Sequence, residues 1–234
     1  MKDRALVFVG PGLTEEDYGE IDTDAIDLRP PIRRGDLISA IDSGYRIVSI
    51  VDGEFYQALA VSPKEILIGL RAGLHIAGGS SMGALRAAEM DVYGMEGVGQ
   101  IYAWYRNGVV TRDDDVALMF GSFDSGSYRA TTVPMVNVLW AALEFKRLNL
   151  LPPASRRRMT SAARRIHWAE RNWFGVCERA GLSAQEREIV RSWARDPGHD
   201  LKRLDARLVV KQTADLVRTR HDELNTRARE AVDS

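Results

Sequence analysis

Only one cysteine, Cys177, occurs in the 234 residues, which excludes an intramolecular disulfide and a zinc site built on cysteines. That usage predicts a reducing, cytoplasmic setting. Cys177 falls in a helical pattern with Trp173, Phe174 and Val176, where a thiol ordinarily serves as a small buried hydrophobe. No apolar run approaches the ~18 residues of a membrane span, and the N-terminus leads directly into a strand pattern, so neither a membrane segment nor a signal peptide is expected. Histidine is scarce as well. Of the four, His75 lies on a strand, while His167, His199 and His221 belong to the second half. None stands in a loop at the strand ends, which leaves a Ser–His–Asp arrangement weakly supported.

A strong charge of one sign is also missing: the net charge is −1. It hides an asymmetry, since residues 1–130 hold 12 basic against 20 acidic side chains (−8) and the remainder 20 against 13 (+7). The basic residues alternate with acids at helical spacing. A solvated helix surface, or a face for an acidic protein, fits this better than nucleic acid.

What is present is a strand–helix alternation. Ala5–Val9, Arg46–Val51 and Leu74–Ala77 read as buried strands, and Arg33–Ser43 and Ser62–Ala72 as helices closed by Gly44 and Gly73. This predicts a mainly parallel sheet flanked by helices, with the first three strands adjacent. From Pro134 onward only helical patterns occur, including Met135–Leu148, Arg156–Trp168, Ala184–Ala194 and Leu201–Glu223, and Asp233-Ser234 reads as a frayed tail. The expected division is an α/β core over 1–130 and a helical region over 131–234 packed on it. The aromatic residues there (Trp140, Phe145, Trp168, Trp173, Phe174, Trp193) are assigned to helix packing.

In such sheets ligands bind beyond the carboxyl ends of the strands, where Gly10–Gly12, Asp52–Gly53 and Gly79–Gly83 fall. The last of these is the most specific. Gly79, Ser81 and Gly83 form G-x-S-x-G between a strand and a helix, the setting of a nucleophile elbow. Glycines on both sides let the chain turn sharply, and the helix N-terminus offers N–H groups to an oxyanion. Close helix–sheet packing or a phosphate cradle are the plainer readings, though no G-K-[ST] follows to make a P-loop.

A serine nucleophile needs a base. Ser62-Pro63-Lys64-Glu65 reads as a helix start that places Lys64 second in the helix. A cation at that end is opposed by the helix dipole, which suits a neutral general base, while a solvated lysine is the alternative. Asp52, ending a strand, either orients Lys64 or caps local N–H groups, and Gly53 gives a substrate tail room. Arg86 is placed to pair with Glu89 or to attract an anionic tail. Asp113-Asp114-Asp115 reads as an acidic helix cap rather than a metal site. Gly94, Gly97 and Gly99 follow no apparent strand and are read as a compact turn.

Several of these segments together resemble the TfuA-like core domain: GPGL after the first strand, RPPIRRGD, IVDGEF, KEIL, GGSSMGALRAAEM, YGMEGVGQIYAWY and DDDVAL, in that order over about the first 120 residues. In the helical half, LKRLDA (Leu201–Ala206) is similar to a late K-x-x-DA-type segment of the family. The resemblance implies a partner of YcaO-type ATP-dependent enzymes in peptide-backbone thioamidation. It also implies a hydrolase-like Ser–Lys site that releases sulfide from the thiocarboxylated tail of a ThiS-like sulfur carrier, with no cofactor. By match of motif the pair is Ser81 and Lys64, with Pro63 standing where relatives often have a histidine. Met82 N–H and a donor from the Gly10–Gly12 loop, Gly12 foremost, are the expected oxyanion hole. The alternative is a non-catalytic adaptor that docks on YcaO and its peptide.

Overall fold

Buried, mostly apolar runs form β1 (Ala5–Phe8) and β3 (Ile47–Ile50), and β4 (His75–Gly79) is nearly as buried. The computed structural model describes residues 3–22, 24–55, 59–122 and 128–232. In it these strands lie side by side, β3 in the middle, as their apolar character requires. Two further strands, β2 (Ile26–Arg29) and β5 (Glu96–Val98), close the edges. All pairings in the order β2-β1-β3-β4-β5 are parallel.

The edge strands β2 and β5 are not among those expected from the sequence, for a physical reason. Each fully buries one side chain, Ile26 or Val98, and so carries no apolar run. Gly97 accordingly belongs to β5, beside Gly78, and not to a turn. A short antiparallel hairpin of β6 (Phe120–Ser122) and β7 (Tyr128–Ala130) was likewise unexpected.

Strand side chains alternate between two faces. Leu6, Phe8, Val48, Ile50 and Ile76 face α2 (Asp36–Asp42), α3 (Pro63–Arg71) and α4 (Met82–Met90), forming a core with Leu37, Ile66, Met82 and Leu85. Ala5, Val7, Val9, Ile47 and Ala77 face the other way. They are covered by Ala206, Val209, Val210, Ala214 and Val217 of one long helix at the end of the chain. Where Ser49 interrupts that face, its hydroxyl meets Thr213 of the same helix at 2.7 Å.

Between these parts come α1 (Glu15–Gly19) and α5 (Gly99–Arg106), then α6 (Met135–Arg147), α7 (Pro153–Arg164), α8 (Trp173–Arg179) and α9 (Ala184–Arg195). The last four share their own core around Phe145, Met159 and Val190, with Trp193 edge-on to Phe145 at 5.2 Å. Cys177 is buried in it, and desolvation pushes its thiol up. Phe174, read as core, is 76% exposed on the outer side of α8.

The final helix, α10 (Leu201–Val232), leaves this cluster and returns to the sheet. It lies within the helical region over 131–234, and its apolar stripe is one wall of the α/β core. Its backbone is helical to Val232; Asp233 and Ser234 lie outside the described residues. Among the described residues no helix is long and apolar enough to cross a membrane.

Candidate active site

The three glycine-containing loops meet at the carboxyl ends of β1, β3 and β4. Asp52, one residue past the buried Val51, is itself buried. Its Oδ2 accepts the N–H groups of Gly10 (2.9 Å) and Gly12 (2.8 Å), which fixes the first loop to the third strand. A side chain at position 12 would press on that same oxygen at 2.7 Å, so glycine is required there.

Beyond β4 the chain reverses within three residues. Ser81 N–H donates to the Gly79 carbonyl at 2.8 Å, and Ser80 between them has φ 64°. For a residue with a side chain this is a strained position, costing about 1–3 kcal/mol. The strain therefore falls on Ser80 and not on a glycine. Gly79 and Gly83 serve packing instead. A Cβ at Gly79 would lie 2.6 Å from the Val209 side chain and from the Val98 carbonyl. One at Gly83 would collide with the carbonyl of Ile50. This close seating puts Ser81 at the N-terminus of α4. The Met82 N–H has no hydrogen-bond partner among the described residues, as the first amide of a helix should not.

The group that meets Ser81 is Lys202. Its Nζ lies 2.9 Å from Ser81 Oγ, 3.1 Å from the Val116 carbonyl and 3.8 Å from Asp52 Oδ1. Both Lys202 and Ser81 are only 3% exposed. The lysine backbone is gripped as well: Ser80 Oγ donates to its carbonyl at 2.8 Å, and its N–H donates to Asn137 Oδ1 of α6 at 3.3 Å. Lys202 is the second residue of α10, after Asp200, whose side chain accepts the Arg203 N–H at 3.0 Å. Burial holds the amine below the ordinary lysine range, against the opposing pull of Asp52 and Asp200. A buried amine with lowered basicity beside a serine hydroxyl can take that hydroxyl's proton.

The family described as TfuA-like protein matches residues 52–172, just over half of the 234 residues. The chain belongs to the TfuA-like family. This associates it with peptide-backbone thioamidation by YcaO-type enzymes. No curated protein matches the chain. In this TfuA-like chain Asp52, Ser81, Val116 and Asn137 fall inside the matched residues, whereas the Gly10–Gly12 loop and Lys202 fall outside.

The structure brings Ser81, Met82, Asp52, Gly12 and Gly53 together and leaves Lys64 out. Lys64 is indeed second in α3, behind the Ser62 cap and Pro63, but its side chain is exposed to solvent. Its place in the helix is the expected one, but the helix start that abuts the elbow is that of α10. Gly12 also differs from expectation: its N–H is already donated to Asp52. Gly53 packs so tightly on Met82 that a Cβ would come within 2.7 Å of the Met82 Cγ. Arg86 is held by Glu89 at 2.6 Å and by the Val61 carbonyl at 2.9 Å, so its guanidinium is tied into the fold.

Asp113-Asp114-Asp115 forms a single 3-10 turn, and Asp115 is buried, accepting the Thr111 and Arg112 N–H groups and pairing with Arg164 of α7. It braces the segment that presents the Val116 carbonyl to Lys202. Among the described residues no group of His, Cys, Asp and Glu could hold a metal ion. Lys202 has no role among the residues expected from the sequence, although the LKRLDA segment that contains it resembles a late family segment.

Proposed function

We propose that this TfuA-like protein hydrolyses the C-terminal thiocarboxylate of a small ThiS-like sulfur carrier and so supplies sulfide to a YcaO-type enzyme. The observation that carries the reading is the buried Lys202 amine 2.9 Å from Ser81 Oγ. In the reactive state the amine is neutral. It donates one N–H to the Val116 carbonyl and turns its lone pair to the serine hydroxyl. Ser81 Oγ attacks the thioacid carbonyl carbon as its proton passes to Lys202 Nζ. The Met82 N–H, at the positive end of α4, receives the developing oxyanion. Collapse breaks the C–S bond, and sulfur leaves as hydrosulfide with the proton from Lys202. Water then attacks the acyl-serine, giving its proton to Lys202, which returns it to Ser81 Oγ. The products are the carrier carboxylate and hydrosulfide, with one proton released.

Mass spectrometry of a thiocarboxylated carrier tests this directly. The wild type is expected to convert thioacid to acid, and Ser81→Ala to lose at least about 10³-fold in rate. Conversion by Ser81→Ala at the wild-type rate would remove the serine from the mechanism. Full thioamidation by Ser81→Ala with carrier as sulfur source, together with no thioacid hydrolysis by the wild type, would instead assign the protein to docking on YcaO.

A further inference from the structure

We propose that Asp52 is a positioning residue for Lys202: its Oδ2 holds the Gly10–Gly12 loop while its Oδ1 stands ready for the ammonium that Lys202 becomes. The inference rests on the Ser81–Lys202 reading above. Among the described residues the amine meets Ser81 Oγ at 2.9 Å, the Val116 carbonyl at 3.1 Å and Asp52 Oδ1 at 3.8 Å. A neutral amine satisfies the first two with its lone pair and one N–H. The third distance is too long for a hydrogen bond between neutral groups and suits a charge contact. When the serine proton arrives, the new positive charge is buried, and an anion at that distance is strongly felt in such surroundings.

The other charges near Lys202 are otherwise engaged. Asp200 caps its own helix through the Arg203 N–H, and both oxygens of Asp205 accept N–H groups of α5. The Arg203 guanidinium turns away to Asp17. Among the described residues, the groups that α4, α6 and the 113–116 segment present to the lysine are the neutral Ser81, Asn137 and Val116. Asp52 is the carboxylate within ion-pair distance of the amine among the described residues. Because the same side chain anchors the loop, the geometry of that loop and the charge of the base depend on one group.

Asp52→Asn keeps an acceptor for the Gly10 and Gly12 N–H groups and removes the charge. Two measurements decide the matter: NMR titration of Lys202 with ¹³C-labelled lysine, and the pH profile of thioacid hydrolysis. The expected result is a Lys202 midpoint lower by about one pH unit or more. The acid limb of kcat should follow it downward while the plateau falls about tenfold or more, with KM within about threefold. An unmoved Lys202 midpoint in a folded variant overturns the proposal, and a fallen plateau without that movement marks Asp52 as structural only. Should Asp52→Asn not fold, Asp52→Ser serves the same titration, with a smaller acceptor and no charge. The titration needs no turnover. If the wild type proves unable to hydrolyse the thioacid, the hydrolase reading fails while the effect of Asp52 on Lys202 is still measured.

Discussion

Lys64 and Lys202 occupy the same place in their helices, each the second residue behind a capping side chain, Ser62 or Asp200. The helix dipole opposes a cation equally at both. Lys202 is buried and Lys64 is exposed, and burial is what moves a lysine into the range of a base. Lys64→Ala should therefore leave thioacid hydrolysis within about twofold of wild type, as surface changes away from special features do. Lys202→Met should abolish it, and Lys202→Arg should do the same because a guanidinium keeps its proton. Thermal unfolding separates this from damage to the fold. Lys202→Met replaces a buried amine with an apolar chain of similar shape, so its melting temperature should equal or exceed that of the wild type. Ser81 was legible in the sequence because turn chemistry is local. Lys202 was not, because the contact spans 121 residues. A trace of it was nonetheless present. Lys202, Ala206, Val209, Val210, Thr213, Ala214 and Val217 recur at helical spacing, so one lysine stands in an otherwise apolar or small stripe, and this is the stripe that covers the sheet.

At the scale of elements, α10 is registered on the sheet by a second buried acid one turn after Lys202. Asp205 accepts the N–H of Gln100 at 3.0 Å and of Ile101 at 2.7 Å, and so caps α5 from another helix. Gly99, at φ 90°, leaves the space that its carboxylate fills. Burial raises the Asp205 carboxyl to about 6, more than its two N–H donors lower it. A folded value above the unfolded ~4 means that the group's stabilising contribution is full below about pH 4 and is lost as pH rises through 6. Asp205→Asn lacks that dependence. Measured by urea unfolding, the stability of Asp205→Asn relative to wild type should rise by about 2 kcal/mol between pH 4 and pH 7. A difference that stays flat over that interval would show that Asp205 is charged in the fold at no cost. The elements themselves were readable in proportion to their burial. β1, β3 and β4 announce themselves by mostly buried, largely apolar runs, whereas β2 and β5, on the sheet edges, show one buried side chain each.

Across the whole molecule, the last helix must find the first, because half of the Ser81–Lys202 pair and one face of the sheet arrive with it. The clasp is Asp17 of α1, which is buried and joined to Arg203 by two hydrogen bonds, at 2.7 and 2.9 Å, and to Arg207 as well. Farther along, Asp22 pairs with Arg218 at 2.6 Å. These acid–base pairs are how the −8 of residues 1–130 and the +7 of the rest are partly reconciled, inside one molecule rather than against a partner. Burial works against the charge of Asp17, yet hydrogen bonds from Arg203, Thr14 and Arg207 outweigh it and hold the carboxyl well below the usual range. With the folded value depressed, the contribution is present above the unfolded value of ~4 and is lost as pH falls below it. Asp17→Asn leaves Arg203 without its main partner at the turn that bears Lys202, and should cost about 3 kcal/mol at pH 7. That cost should shrink steadily on acidification below about pH 4, because the wild type then surrenders the same interaction. Urea unfolding of both proteins along a pH series checks this. A deficit that persists undiminished at low pH would mean that Asp17 acts by shape and not by charge.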